Sequence, residues 1–167
     1  MANAKLGQKV IEEIEAFIQS RKSLMLSTLG EDNLPSASYA PFVTYDQHLY
    51  IFISGLASHT QNLIDRPHAS LLFIEDEDNC ANVFARLRLS YQITSNVISR
   101  DEPLWHQAIQ AMTEKLGEQV TQLSQLGDFV LFQLTPTSGR FVKGFGKAYE
   151  LEGENLQINS IKHIRGN

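Results

Sequence analysis

Hydrophobic positions recur along the chain with two periods, 3.6 and 2, and the change from one to the other divides it into elements. Val10, Ile11, Ile14, Phe17 and Ile18 return at helical spacing while Glu12, Glu13, Glu15 and Gln19 fill the other face, which predicts an N-terminal helix. Arg21 and Lys22 at its end suit the negative pole of the helix dipole. Strand-like runs follow at Ser23 to Leu29, Ser36 to Val43 and Leu49 to Ser54, separated by turn signals at Gly30-Glu31-Asp32-Asn33 and Tyr45-Asp46-Gln47. Connections this short leave no room for crossover helices, so the sheet should be antiparallel. Pro41 removes one amide donor from the second run and points to an edge or a bulge.

A short helix is expected from Ala57 or Ser58 to Arg66-Pro67, and an apolar strand from Ala69 to Ile74. The acidic run Glu75-Asp76-Glu77-Asp78 reads as a solvated loop, because a calcium loop needs alternating oxygen ligands and a turn glycine. Arg86 to Thr94 alternates long polar with apolar side chains and is the cleanest half-buried strand. Ser99 and Glu102 suggest a capping box for a second long helix reaching Leu116-Gly117, with Leu104, Trp105, Ala108, Ile109 and Met112 as its apolar face. Asp128 to Leu134 and Arg140 to Leu151 should be strands on either side of a Pro136-Thr137-Ser138-Gly139 turn, with Gly144 and Gly146 bending the second. Asn155 to Asn159 makes a short last strand. Six or more short strands with few helices give an α+β chain, and a closed antiparallel barrel hides the strand edges; the periodicity alone fits a sandwich equally well.

Composition narrows the setting. A chain of 167 residues, 43% hydrophobic, suits one domain over 1–167. A net charge of -5 argues against long-range attraction to nucleic acid. The single Cys80 allows neither an intrachain disulfide nor a multi-cysteine metal site and fits a reducing compartment. No apolar stretch resembles a leader or a membrane span, so a cytoplasmic protein without membrane insertion is expected.

Candidate chemistry lies in four places. Arg86 and Arg88, two apart on a strand, project to one face where paired guanidiniums can grip a phosphate or a propionate, or simply solubilise it. Ser54, Ser58, His59 and Thr60 bracket the start of the short helix, whose free amides can support an anion or simply be capped. Lys143 and Lys147 flank Gly144-Phe145-Gly146, a segment open to close approach by a ligand or by another strand. His163 stands apart from His48, His68 and His106 by its place in the C-terminal tail, 160–167.

Ser38-Tyr39-Ala40-Pro41-Phe42, Ser58-His59-Thr60-Gln61-Asn62-Leu63 and Phe84-Ala85-Arg86-Leu87-Arg88-Leu89 resemble the haem-utilisation branch of the pyridoxamine 5'-phosphate oxidase-like FMN-binding split barrels. The likeness continues through Leu123-Ser124-Gln125-Leu126-Gly127-Asp128-Phe129 and Phe141 to Tyr149. This resemblance implies an antiparallel split β-barrel with flanking helices, acting as a homodimer with two cofactor sites at its interface. It implies haem as the ligand, with FMN as the alternative. The activity would be oxidative haem degradation for iron release, fed by an external electron donor. The alternatives are FMN-dependent oxidoreduction and non-enzymatic haem carriage or storage. By the same resemblance His163 would ligate the haem iron, and Asp128 would accept its N–H across the dimer. Arg86 and Arg88 would neutralise propionates, Lys143 would face the ligand, and His59 stands where the flavin branch carries a basic side chain.

Overall fold

The computed structural model describes residues 2–164, with side chains from residue 7 onward. Helix α1 (Ala2–Gln19) buries Val10, Ile14, Phe17 and Ile18, the face set by the 3.6-residue period. Strands β1 (Ser23–Leu29), β2 (Pro35–Tyr45) and β3 (His48–Ser54) form a meander. Asn33, Asp46 and Gln47 take positive φ in its two turns, where Asn and Asp tolerate the left-handed region best. Pro41 is the last β2 residue paired with β1, and Phe42 the first paired with β3, so the missing amide falls where the strand changes partner.

Helix α2 (Ser58–Asp65) leads to β4 (His68–Ile74), and a loop carrying two 3-10 turns leads to β5 (Arg88–Ile98). Helices α3 (Pro103–Leu116) and α4 (Gln119–Ser124) precede β6 (Phe129–Val142), and β7 (Ala148–Glu154) and β8 (Gln157–Ile164) complete the described chain. Every pairing is antiparallel, and β1, β2, β3, β6, β5 and β4 close into a six-stranded ring because β3 pairs with β6 as well as β2. Flanking helices make it the expected α+β split barrel. The β7–β8 ribbon continues the sheet from β6, outside the ring.

Two packed layers hold this together. The barrel interior and α1 share one cluster that includes Leu26, Phe42, Ile51, Phe73, Leu89, Phe132 and Phe141. Outside the barrel, Trp105, Ala108, Ile109 and Met112 of α3 cover Tyr50 and Phe52 of β3 and Leu131 of β6. This explains the unbroken apolar run in β3: both its faces are covered. Each of the larger α3 side chains contributes about 1.5–3 kcal/mol by burial.

Several boundaries differ from those the pattern predicts. Pro136 to Gly139 is no turn; β6 runs straight through, and the register shift between Gln92 and Ile93 leaves Thr137 as the extra residue of a bulge. Conversely, Arg140 to Leu151 is not one bent strand. Lys143 to Lys147 folds into a hairpin tip, with Lys143 N–H donating to Lys147 O and Gly144 and Gly146 at φ of 143° and 67°. Glu102, rather than Ser99, is the N-cap residue of α3; Glu102 still accepts from Ser99 N at 2.8 Å, half of the expected box. The last strand is Gln157–Ile164 rather than 155–159, so most of the tail is a paired strand; 165–167 lie outside the described residues. Helix α4 has six residues, too few for a period to show in the pattern.

Candidate functional site

Strand register decides which side chains share a face. Along the outer face of the sheet, Tyr39, Met25, Leu72, Ser90, Arg140, Glu150 and Lys162 stand in one cross-strand row. The next row holds Ile74, Arg88, Val142, Ala148 and Ile164. Arg88 and Arg140 thus lie diagonally across β5 and β6, Arg88 between the apolar Ile74 and Val142 and Arg140 between Ser90 and Glu150. Phe84, on the loop before β5, and Phe145, on the β6–β7 hairpin tip, wall this face and are 84% and 72% exposed. Together they enclose a groove of about 550 Å³ with Leu72, Val142 and Ile164 in its lining.

Arg88 donates to Arg86 O at 3.1 Å, which orients the guanidinium and leaves its other N–H groups available. Arg140 faces Glu150 at 3.4 Å, an exposed contact worth little. The groove therefore offers cations beside a flat apolar floor with aromatic walls, an arrangement suited to a planar ligand with anionic edges.

Arg86 does not share this role. It precedes β5 and ends a 3-10 turn, so the expected pairing with Arg88 on one strand face is not formed. Its Nε donates to Glu75 O at 3.0 Å and its Nη1 meets Glu77 at 3.1 Å. The acidic run is spent on such contacts: Asp76 pairs with Arg21 at 3.2 Å and Glu75 Oε1 accepts from Leu87 N at 2.7 Å. Lys143 is also engaged elsewhere, in an ion pair with Glu13 of α1. It lines a separate cleft of about 830 Å³ between α1, the 75–87 loop and β6, on the other side of a wall made by Ala85, Gly144 and Phe145.

The residues at the start of α2 are largely used up internally. Thr60 is fully buried and its hydroxyl donates to Ser54 O at 2.5 Å. Ser54 Oγ donates to Asp128 Oδ2 at 2.9 Å and accepts from Leu56 N at 3.2 Å. A carboxylate thus occupies the hydroxyl expected to meet an anion. Ser58 does not cap the helix; Ala57 is the N-cap residue, without a side-chain bond. His59 Nδ1 lies 2.9 Å from Ser38 Oγ, and when the hydroxyl donates to Leu26 O at 3.4 Å the imidazole donates to it and keeps its Nε2 lone pair. Burial lowers the His59 pKa and favours this neutral form.

His163 Nε2–H donates to Gly146 O at 2.8 Å, which leaves the Nδ1 lone pair available, and the ring lies 5.1 Å from that of Tyr149. A carbonyl behind one nitrogen is the usual way to orient a ligating imidazole. Register puts His163 in a row with Tyr149 and Phe141, the face opposite to Arg88 and Val142. Asp128 lies at the far end of β6, separated from that row by roughly 40 Å of strand. Within one chain the structure brings Ser54 and Asp128 together, but joins neither Asp128 nor Arg88 to His163.

Arg140, Phe84 and Phe145 are the site residues that sequence reasoning missed. The signal for the two phenylalanines was present: each is an aromatic inside a polar or glycine-rich loop, where no core claims it. Arg140 carried no such mark, because its neighbour Arg88 is fixed only by pairing.

Comparison with known proteins bears on this geometry. The family model for pyridoxamine 5'-phosphate oxidase matches residues 10–143. A Vibrio cholerae protein named heme oxygenase HutZ is 43% identical over 152 residues, 91% of this chain and 86% of its own. The crystal structure of HutZ, there described as a heme storage protein, superposes with a TM-score of 0.76 at 40% identity, over 80% of this chain and 94% of that one. Campylobacter jejuni ChuZ gives a TM-score of 0.86 at 31% identity, over 95% of this chain and 63% of that one.

Proposed function

The chain belongs to the pyridoxamine 5'-phosphate oxidase family of split barrels, among members like HutZ and ChuZ, and from that membership we propose that it binds haem and opens the porphyrin oxidatively, releasing iron. The observation that carries the reading is the outer groove, where Arg88 and Arg140 stand beside an apolar floor walled by Phe84 and Phe145. Haem is flat, apolar across its faces and dianionic at one edge, and the groove supplies a counterpart for each property. The α1 cleft is larger but fits less well, since Lys143 is neutralised there by Glu13 and Glu75 adds negative charge.

Bound haem supplies the redox-active iron and the ring to be opened, with dioxygen and an external electron donor as co-reactants. The chain's own residues hold and orient it. Arg88 and Arg140 neutralise the propionates, and Phe84 and Phe145 exclude water from the ring faces. His163 would offer its lone-pair nitrogen to the iron, its N–H, which donates to the Gly146 carbonyl within one chain, passing to Asp128 of a second copy. In one chain Asp128 and His163 are separated by roughly 40 Å of strand, so the working site draws His163 and Asp128 from two copies. We therefore read the protein as one domain over 1–167 acting as a homodimer. Among the described residues no helix is long and apolar enough to cross a membrane, and we place its work in the cytoplasm without membrane insertion or nucleic acid.

Two observations keep other readings in view. HutZ carries both an oxygenase and a storage description, which favours carriage without turnover as the second reading. The family model is that of pyridoxamine 5'-phosphate oxidase, and the split barrels this chain resembles include FMN binders, so FMN is the rival ligand. Separate absorption titrations with haem and FMN decide between them: the proposal expects a sharp Soret band at one haem per chain and no saturable FMN signal. Stoichiometric FMN binding with only nonspecific haem uptake overturns it. Adding ascorbate in air to the haem complex then separates turnover, in which the Soret band bleaches, from carriage, in which it persists.

A further inference from the structure

Asp128 is exposed, yet it is held through both its carboxylate and its backbone carbonyl. Ser54 Oγ donates to its Oδ2 at 2.9 Å, and Gly55 N donates to its backbone carbonyl at 2.7 Å. A Cβ on Gly55 would stand 2.6 Å from that same carbonyl oxygen, so only glycine permits this approach. These contacts hold Asp128 from the β3 side.

A second device holds it from the other side. Arg100, two residues beyond the end of β5, donates from Nη1 to Ser124 O at 2.6 Å and from Nη2 to Leu126 O at 2.5 Å and Phe129 O at 3.2 Å. Its guanidinium also lies 5.0 Å from the centre of the Trp105 ring. No carboxylate pairs with Arg100 among the described residues, so the charge is directed at three carbonyls and an indole face. Two of those carbonyls stand at or just beyond the C-terminal end of α4, where they lack helical partners and the dipole favours a cation. The third opens β6. Leu126 and Phe129 flank Asp128, so one planar fork fixes the backbone on both sides of it.

We propose that Arg100 is a positioning residue for Asp128, fixing the 124–129 segment so that its carboxylate is presented to an imidazole arriving from a second copy. This rests on the reading above, in which Asp128 accepts from the ligating histidine. A loosely held surface carboxylate would lose conformational freedom on each encounter; one fixed beforehand does not. Lysine keeps the charge of Arg100 but has no planar fork, so Arg100→Lys is the informative variant.

The test combines amide hydrogen exchange of the free protein with the ferric haem spectrum of the loaded protein, for the parent, Arg100→Lys and Asp128→Asn. Arg100→Lys should speed exchange in 126–129 by about tenfold while barrel amides in β4 and β5 keep their rates. It should also move the ferric spectrum and its pH midpoint in the same direction as Asp128→Asn, by a smaller amount. Unchanged exchange in 126–129, or an unmoved spectrum and midpoint where Asp128→Asn moves both, overturns the positioning role. An Asp128→Asn spectrum identical to the parent's overturns instead the role given to Asp128, whatever the exchange shows.

Discussion

Lys115, on the last turn of α3, holds its ammonium 3.6 Å from the centre of the Phe42 ring, buried and without a hydrogen-bond partner among the described residues. Burial pushes its pKa from 10.5 down to about 8. The unfolded chain therefore binds more protons than the folded one between about pH 8 and 10.5, and stability should rise with pH across that window. Urea midpoints measured from pH 7.5 to 9.5 check this: the parent should gain, whereas Lys115→Met should start higher at pH 7.5 and lose the slope. At the groove, Arg88→Ala should weaken haem binding by about tenfold to a hundredfold, the value of a charge-assisted contact, and leave the melting temperature nearly unchanged. Arg140→Ala should cost less, its guanidinium being exposed. Haem titrations of the two variants, read beside their melting curves, give both numbers. Arg88 was legible as an anion-binding candidate because its residue type and alternation are local properties. That Arg86 is not its partner was illegible, since it follows from Glu75 and Glu77 folding back across the loop.

At the scale of elements, the β7–β8 ribbon lies outside the closed ring and carries His163, so it can be perturbed separately. Gly153 sits at its bulge, and an added Cβ there would stand 1.9 Å from Gln157 O, a contact with backbone that cannot relax. Gly153→Ala should destabilise the ribbon by about 1–3 kcal/mol and speed exchange of its amides, with the barrel strands still protected. Loss of protection in β4 and β5 as well would show that ribbon and barrel form one cooperative unit. The same elements show what the pattern conveyed. The positions of α1, β1 and α3 were legible because each has a clear period and a local stop. The two glycine- and proline-bearing tracts take the opposite forms to those the pattern predicts. Pro, Gly, Ser and Thr mark irregular backbone without saying which kind, and here pairing with β5 turned 136–139 into a bulge while β7 turned 143–147 into a hairpin.

For the whole molecule the decisive question is whether a site is made by one copy or two. A single chain keeps His163 roughly 40 Å of strand from Asp128. Sedimentation equilibrium should give a dimer at micromolar concentration, and a monomer there would remove the shared site. Mixing subunits refines the result. Asp128→Asn and His163→Ala homodimers should each lack a complete site, while the mixed dimer regains one of two, seen as about half the parent's rate of ring opening. Sites confined to single chains would regain none.

The ferric absorption spectrum of the haem-loaded protein, taken for the parent, His163→Ala and His59→Ala, tests the account most directly. His163 and His59 both keep a nitrogen lone pair available, and His59 stands on a different element. The account predicts a histidine-ligated spectrum in the parent and in His59→Ala, altered in His163→Ala together with loss of ring opening. A His163→Ala protein with the parent's spectrum and affinity, beside a His59→Ala protein that lacks them, would contradict it.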